Sequence, residues 1–204
     1  MKLFFLFLLF FFSCIPKPNV DNYFRNLKLR NLENQIFSLS HIQSPVFLMN
    51  FYSPTCPPCV EELPALHLVY SEMQKYSFEL FIAIEPSLEN NLPTVPEPYK
   101  NTPFNEESMQ FLIDVMKNDV RKKNIQIPVY IVEPPFKIDH DQWITGRPET
   151  LLFTTNPLRL HYNFVGPIAT SENLEAIKNH TKYKFLLQIL NQLHQTQKKE
   201  ISNY

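Results

Sequence analysis

Pro45-Val-Phe-Leu-Met-Asn-Phe-Tyr52 is an almost unbroken apolar run of strand length. Such a run marks a strand buried on both faces, as in a parallel sheet. Phe78 to Ile84 repeats the pattern, and Ile125 to Val132, Leu151 to Thr155 and Leu160 to Val165 supply three further strands. Asn156-Pro157 separates the last two and predicts a turn, hence an antiparallel hairpin. Upstream, short strands around Leu27–Leu29 and Ile36–Leu39 are joined by a turn at Asn31–Asn34.

Between these strands the period lengthens to that of a helix. Leu63, Leu66, Val69, Tyr70 and Met73 share one face of a helix that begins near Cys56 and runs to about Tyr76. Pro57 and Pro58 suit its first turn, whereas Pro64 lies inside it and predicts a kink. Asn105 caps a second helix with an apolar stripe of Met109, Leu112, Ile113, Met116 and Val120. A terminal helix spans Ser171 to about Gln195, with an interruption near His180. The segment from Pro86 to Pro103 is polar and proline-rich, a loop that borders a site or stands free of it. Alternating strands and helices without an internal repeat indicate one α/β domain: a central mixed sheet flanked by helices on both faces, with an N-terminal β-hairpin extension.

The N-terminus has a different pattern. Met1-Lys2 precedes ten apolar residues, Leu3 to Phe12, which is a signal-peptide core too short to span a bilayer as a helix. Ser13-Cys14 resembles the end of a bacterial lipobox, although Phe11 and Phe12 depart from it; a plain secretory signal, with Cys14 incidental, is the alternative. The expected organisation is therefore a signal segment over 1–14, a tether over 15–22 and a domain over 23–204, outside the cytoplasm and anchored to the membrane through lipid on Cys14.

Composition narrows the chemistry. A net charge of −1 across 204 residues gives no reason to expect nucleic acid. With only two glycines, Gly146 and Gly166, no glycine-rich phosphate loop exists, and turns fall to Asn, Asp, Ser and the 18 prolines. Once Cys14 is set aside, Cys56 and Cys59 form an isolated Cys-Pro-Pro-Cys pair. A loop this small adds little as a staple, so redox chemistry explains the pair better. At a strand-to-helix junction, free N–H groups and the helix dipole favour a thiolate on Cys56, the expected nucleophile. Cys59, one turn on, is the resolving thiol. Pro57 and Pro58 remove two N–H donors from around Cys56, which points to a weakly depressed thiol pKa and a reducing couple.

Asn50-Phe-Tyr-Ser-Pro-Thr-Cys56-Pro-Pro-Cys59-Val-Glu-Glu62-Leu-Pro64 resembles the CxxCxxExP stretch of the TlpA/ResA-type thioredoxin-like oxidoreductases. The hairpin Leu27 to Leu39 and the segment Ile144-Thr-Gly-Arg-Pro148-Glu-Thr-Leu-Leu-Phe153 match that family's other motifs in order. The resemblance implies a thioredoxin-like fold and a cis Pro148 against the dithiol, with the Arg147 carbonyl pairing to a bound partner. It also implies that Glu62 exchanges a proton with the resolving thiol; the alternative is a surface glutamate like Glu61. The implied activity is protein disulfide reduction, for example in cytochrome c maturation, by a monomer fed electrons by a membrane-embedded thiol donor and needing no organic cofactor or metal. Thr55 stands where the family usually has Trp, Asn34 replaces a turn glycine, and Arg147 puts a long cation beside the thiols.

Other readings start from the same cysteines. Half a zinc site lacks a second cysteine pair. A Sco-like Cu(I) metallochaperone needs His140 or His161 as a third ligand, and that family spaces its cysteines by three residues. A binding module that merely keeps the fold would not depend on Cys56. His67, His140 and His161 otherwise read as surface or packing residues, and Trp143 as either core or site rim.

Overall fold

The computed structural model describes residues 20–85, 105–134, 136, 138 and 143–202. Cys14, the signal segment, the Pro86–Pro103 loop and His140 lie outside them. Apolar alternation is absent from Val46–Tyr52 (β3), and every residue of that strand is buried. It pairs in parallel with Glu79–Ile84 (β4), which pairs in parallel with Val129–Val132 (β5). On its other side β3 meets Glu149–Thr155 (β6) antiparallel, and β6 turns into Leu158–Val165 (β7). The hairpin Lys28–Asn31 (β1) and Ile36–Ser38 (β2) joins the β5 edge, giving the order β2-β1-β5-β4-β3-β6-β7.

The two faces of this mixed sheet are covered unequally. Helices Pro57–Gln74 (α2), Glu106–Lys122 (α3), Leu174–Asn179 (α4) and Thr181–Ser202 (α5) bury one face over Leu48, Tyr52, Ile82, Ile131 and Leu152. The other face is aromatic, with Phe47 stacked between Phe81 and Phe153 at centroid distances of 5.7 and 4.8 Å. It is covered by a short helix, Val20–Arg25 (α1), a 3-10 turn at Leu39–His41, and the segments bearing Phe136 and Ile144. Phe24 of α1 is fully buried, edge-on to Phe153. This helix was not expected: it starts at Val20, inside the stretch read as tether.

Two other boundaries differ from expectation. The strand expected from Ile125 begins only at Val129: Ile125 and Ile127 are buried against the helical layer instead, and Pro128 brings no N–H to a ladder. Its carbonyl already accepts from Ile82 N–H at 2.8 Å. The terminal helix is broken at His180, as its sequence indicates, and continues to Ser202. Left-handed turns fall to Asn34, Ser77 and Asn124, polar residues standing in for scarce glycine. Asn105 caps α3, its side chain accepting from Ser108 N–H at 2.8 Å. Among the described residues no helix is long and apolar enough to cross a membrane.

Candidate active site

The site lies where the parallel strands end and α2 begins. After β3 the chain bends through Ser53-Pro54-Thr55, where the Ser53 hydroxyl accepts from Thr55 N–H at 3.3 Å and Ser53 O accepts from Cys56 N–H at 3.2 Å. Cys56 takes extended dihedrals at the N-cap, and Pro57 and Pro58 fill the opening helical positions. Their missing N–H groups cost the helix nothing there, since first-turn donors have no intrahelical partner. The helix continues through Pro64, which deprives the Val60 carbonyl of its usual donor. Cys56 and Cys59 are joined in a disulfide with Cα atoms 5.3 Å apart. Cys56 is partly exposed and Cys59 fully buried, so a partner can reach only the first sulfur.

The Arg147–Pro148 peptide is cis, and the Arg147 carbonyl oxygen lies 3.7 Å from Cys56 Sγ. Behind the disulfide, Glu62 is wholly buried while its neighbour Glu61 is exposed. One Glu62 oxygen accepts from Ile168 N–H at 2.6 Å and the other from Asn50 Nδ2 at 3.2 Å. Asn50 Nδ2 also donates to Thr150 Oγ1 at 2.9 Å, its register partner across β3 and β6. Burial pushes the Glu62 carboxyl up to about 7, against the opposing pull of Ile168 N–H, Asn50 and the Lys182 charge. A carboxyl that titrates near neutrality beside a dithiol can take or return a proton.

On the other face two more buried carboxylates shape the rim. Glu85 follows β4, accepts from Ile138 N–H at 3.2 Å, and lies 3.9 Å from the Arg147 guanidinium. That pairing aims Arg147 while leaving its carbonyl toward the sulfur. Glu149, directly after Pro148, accepts from Thr145 N–H at 3.1 Å and from Asn163 Nδ2 at 3.0 Å, holding the loop to β7. Trp143 is half-buried against the second core, with its carbonyl bonded to Asn163. From α3, Lys123 donates to Pro54 O at 3.4 Å and to Tyr52 Oη at 3.0 Å, and Tyr52 donates to Asp119 at 2.8 Å. Burial and the Asp119 carboxylate push the Tyr52 phenol up.

Sequence reasoning named Cys56, Cys59, Glu62, Arg147 and Pro148, and these come together. It missed Asn50, Thr150, Ile168, Glu85, Glu149 and Lys123. A polar residue inside an apolar run, Asn50, was the signal available for one of them. His161 bonds Thr154 at 3.0 Å, and Thr154 pairs with Val46 at the opposite end of β3 from the dithiol. Six strand residues separate those ends by about 20 Å, so His161 does not meet the cysteines. Among the described residues no three His, Cys, Asp or Glu side chains gather as a metal site.

No family model matches the chain. A curated relative, the thiol-disulfide oxidoreductase ResA of Halalkalibacterium halodurans, is 31% identical over 65 residues, 31% of this chain. The match spans 37% of that relative's length. The crystal structure of a candidate thiol:disulfide interchange protein DsbE from Chlorobium tepidum aligns over 81% of this chain and 92% of its own, at 16% identity and TM-score 0.53. The solution structure of a candidate thioredoxin from Neisseria meningitidis aligns over 81% and 85%, at 17% identity and TM-score 0.50. The chain therefore has the thioredoxin-like fold, and it resembles the thiol–disulfide oxidoreductases of the TlpA/ResA type.

Proposed function

We propose that the chain is a thiol–disulfide oxidoreductase that reduces protein disulfides outside the cytoplasm through Cys56 and Cys59. The carrying observation is the arrangement itself: a disulfide at a helix N-terminus, one sulfur exposed, a carbonyl 3.7 Å from that sulfur and a buried carboxyl behind its partner. In the reduced protein the Cys56 thiolate attacks one sulfur of a partner disulfide. A Cys56–partner disulfide forms, and the departing partner thiolate takes a proton. Ionised Glu62 accepts the Cys59 proton, and the Cys59 thiolate attacks Cys56 Sγ. That step re-forms the Cys56–Cys59 disulfide and releases the second partner thiolate, so two electrons pass to the partner. The Arg147 carbonyl supports the reading by offering a backbone acceptor to a strand of the partner laid beside Pro148.

Pro57 and Pro58 keep N–H donors away from Cys56 and favour a reducing couple. In an oxidising compartment the dithiol is regenerated by a membrane-embedded thiol donor. Residues 1–14 act as an export signal with Cys14 as lipid anchor, 15–19 serve as a tether ahead of α1, and apocytochrome c or other exported thiol proteins are the substrates of a monomeric enzyme. The curated relative's name, thiol-disulfide oxidoreductase, supports the activity class. The test is a Cys59→Ser variant expressed in cells, from which mixed disulfides on Cys56 are captured, alongside Cys56-dependent reduction of insulin. Trapped exported proteins are expected. Reduction that persists in Cys56→Ser, or a potential close to that of a strong oxidant, would overturn the reading.

A further inference from the structure

Glu62 sits in an environment built from five separate elements. β3 supplies Asn50, β6 reaches it through Thr150, the segment between β7 and α4 supplies Ile168 N–H, and α2 carries the cysteine pair and Glu62 itself. The fifth is α5, whose second residue is Lys182. The Lys182 ammonium donates to Val165 O at 2.6 Å and to Pro167 O at 3.1 Å, the carbonyls on either side of Gly166. Gly166 holds φ at +73°, and a Cβ there would lie at an ordinary contact distance of 3.5 Å from Lys182 Nζ, so the turn passes directly beside the ammonium. The next residue after this clasped turn is Ile168, which gives Glu62 its shortest hydrogen bond.

We propose that Lys182 is a positioning residue of the dithiol site: it clasps the Val165–Pro167 turn to α5 and thereby aims Ile168 N–H at Glu62. Its charge also favours the ionised carboxylate. The proposal deepens the function above and rests on it for its consequence in exchange. Two effects act in the same direction. The clasp preserves a charge-assisted hydrogen bond that the ionised carboxylate accepts. The half-buried ammonium adds electrostatic attraction for the ionised carboxylate. Lys182 thereby opposes the burial that keeps Glu62 protonated. Without it, a smaller fraction of Glu62 would be ionised at neutral pH and ready to accept a proton from Cys59.

The test is a 13C titration of the glutamate δ-carbons in the oxidised full chain, with the Glu62 signal identified by its loss in Glu62→Gln. Lys182→Met is expected to raise the Glu62 midpoint by about 0.5 to 1 pH unit, and Lys182→Arg to restore it. In the exchange assay the pH profile should move by the same interval in Lys182→Met and cease to respond once Glu62→Gln is combined with it. If Lys182→Met does not fold, Lys182→Gln provides the uncharged comparison. An unchanged midpoint in the folded uncharged variant, or an arginine variant shifted like methionine, overturns the proposal. Because the oxidised protein performs no exchange during the titration, absence of Cys56-dependent activity would count against the function and leave this result standing.

Discussion

Replacing Glu62 with glutamine keeps the shape of the side chain and removes its ability to ionise. The fold supports this exchange. The introduced amide oxygen can accept from Ile168 N–H, and Asn50 can turn over so that its oxygen receives the new NH2 and the Thr150 hydroxyl. In the native protein the carboxyl is raised from an ordinary 4.5 to about 7, with burial the dominant cause. Between those two values the folded chain holds a proton that the unfolded chain has released. Stability from this group is therefore fully present below about pH 4.5 and is lost as pH rises through 7. At about 1.4 kcal/mol per pH unit, the wild type loses roughly 3 kcal/mol across that window, and Glu62→Gln does not. Guanidinium unfolding of both oxidised proteins at several pH values from 4 to 8.5 measures the difference. The variant should gain on the wild type by roughly 3 kcal/mol from the acid end to the alkaline end, whatever its constant offset. Parallel stability curves would refute the reasoning, because they would mean that Glu62 ionises in the fold as easily as in water.

Tyr52→Phe deletes the hydroxyl that donates to Asp119 and accepts from Lys123, and should cost about 1 to 2 kcal/mol, read as a lower denaturant midpoint with unchanged slope. Phe153→Ala empties the centre of the aromatic face between Phe24 and Phe47, with an expected loss of about 3 to 5 kcal/mol and a clear fall in melting temperature. Gly166→Ala meets ordinary contact distances, so its cost comes from the left-handed backbone; about 1 kcal/mol of destabilisation is expected in chemical unfolding.

The sheet was legible because each buried strand is an apolar run bounded by Pro, Asn or Ser, and local sequence carries that signal. The dithiol was legible for the same reason: Cys56 follows the fully buried apolar strand β3 after a three-residue bend. The supporting shell was not, because it exists only through pairing. Asn50 meets Thr150 only in the β3–β6 register, and Glu149 meets Asn163 only once β7 folds back. Glu85 reads as a loop carboxylate until the Arg147 segment arrives beside it. Helix α1, at six residues, is too short for periodicity to declare itself, and among its described side chains Phe24 is the buried anchor, with Tyr23 packed on the same core. The β5 boundary failed because Ile125 and Ile127 are apolar for the sake of the helices above them, not of a ladder.

The hydrogen bond from Asn50 to Thr150 joins residues a hundred positions apart, and that span sets an order of events as the chain is made. A polypeptide emerging from its N-terminus presents Cys56 and Cys59 long before β6 or Ile168 exists. During that interval the two thiols are an ordinary pair on an unfinished sheet, open to whatever oxidant they meet and without the carboxyl network or the Arg147 carbonyl. Only docking of the last third of the chain converts them into a tuned couple. Redox character is thus a late-acquired property of this molecule, and a ribosome-stalled chain ending before Glu149 should carry the cysteines without the behaviour they have in the finished fold.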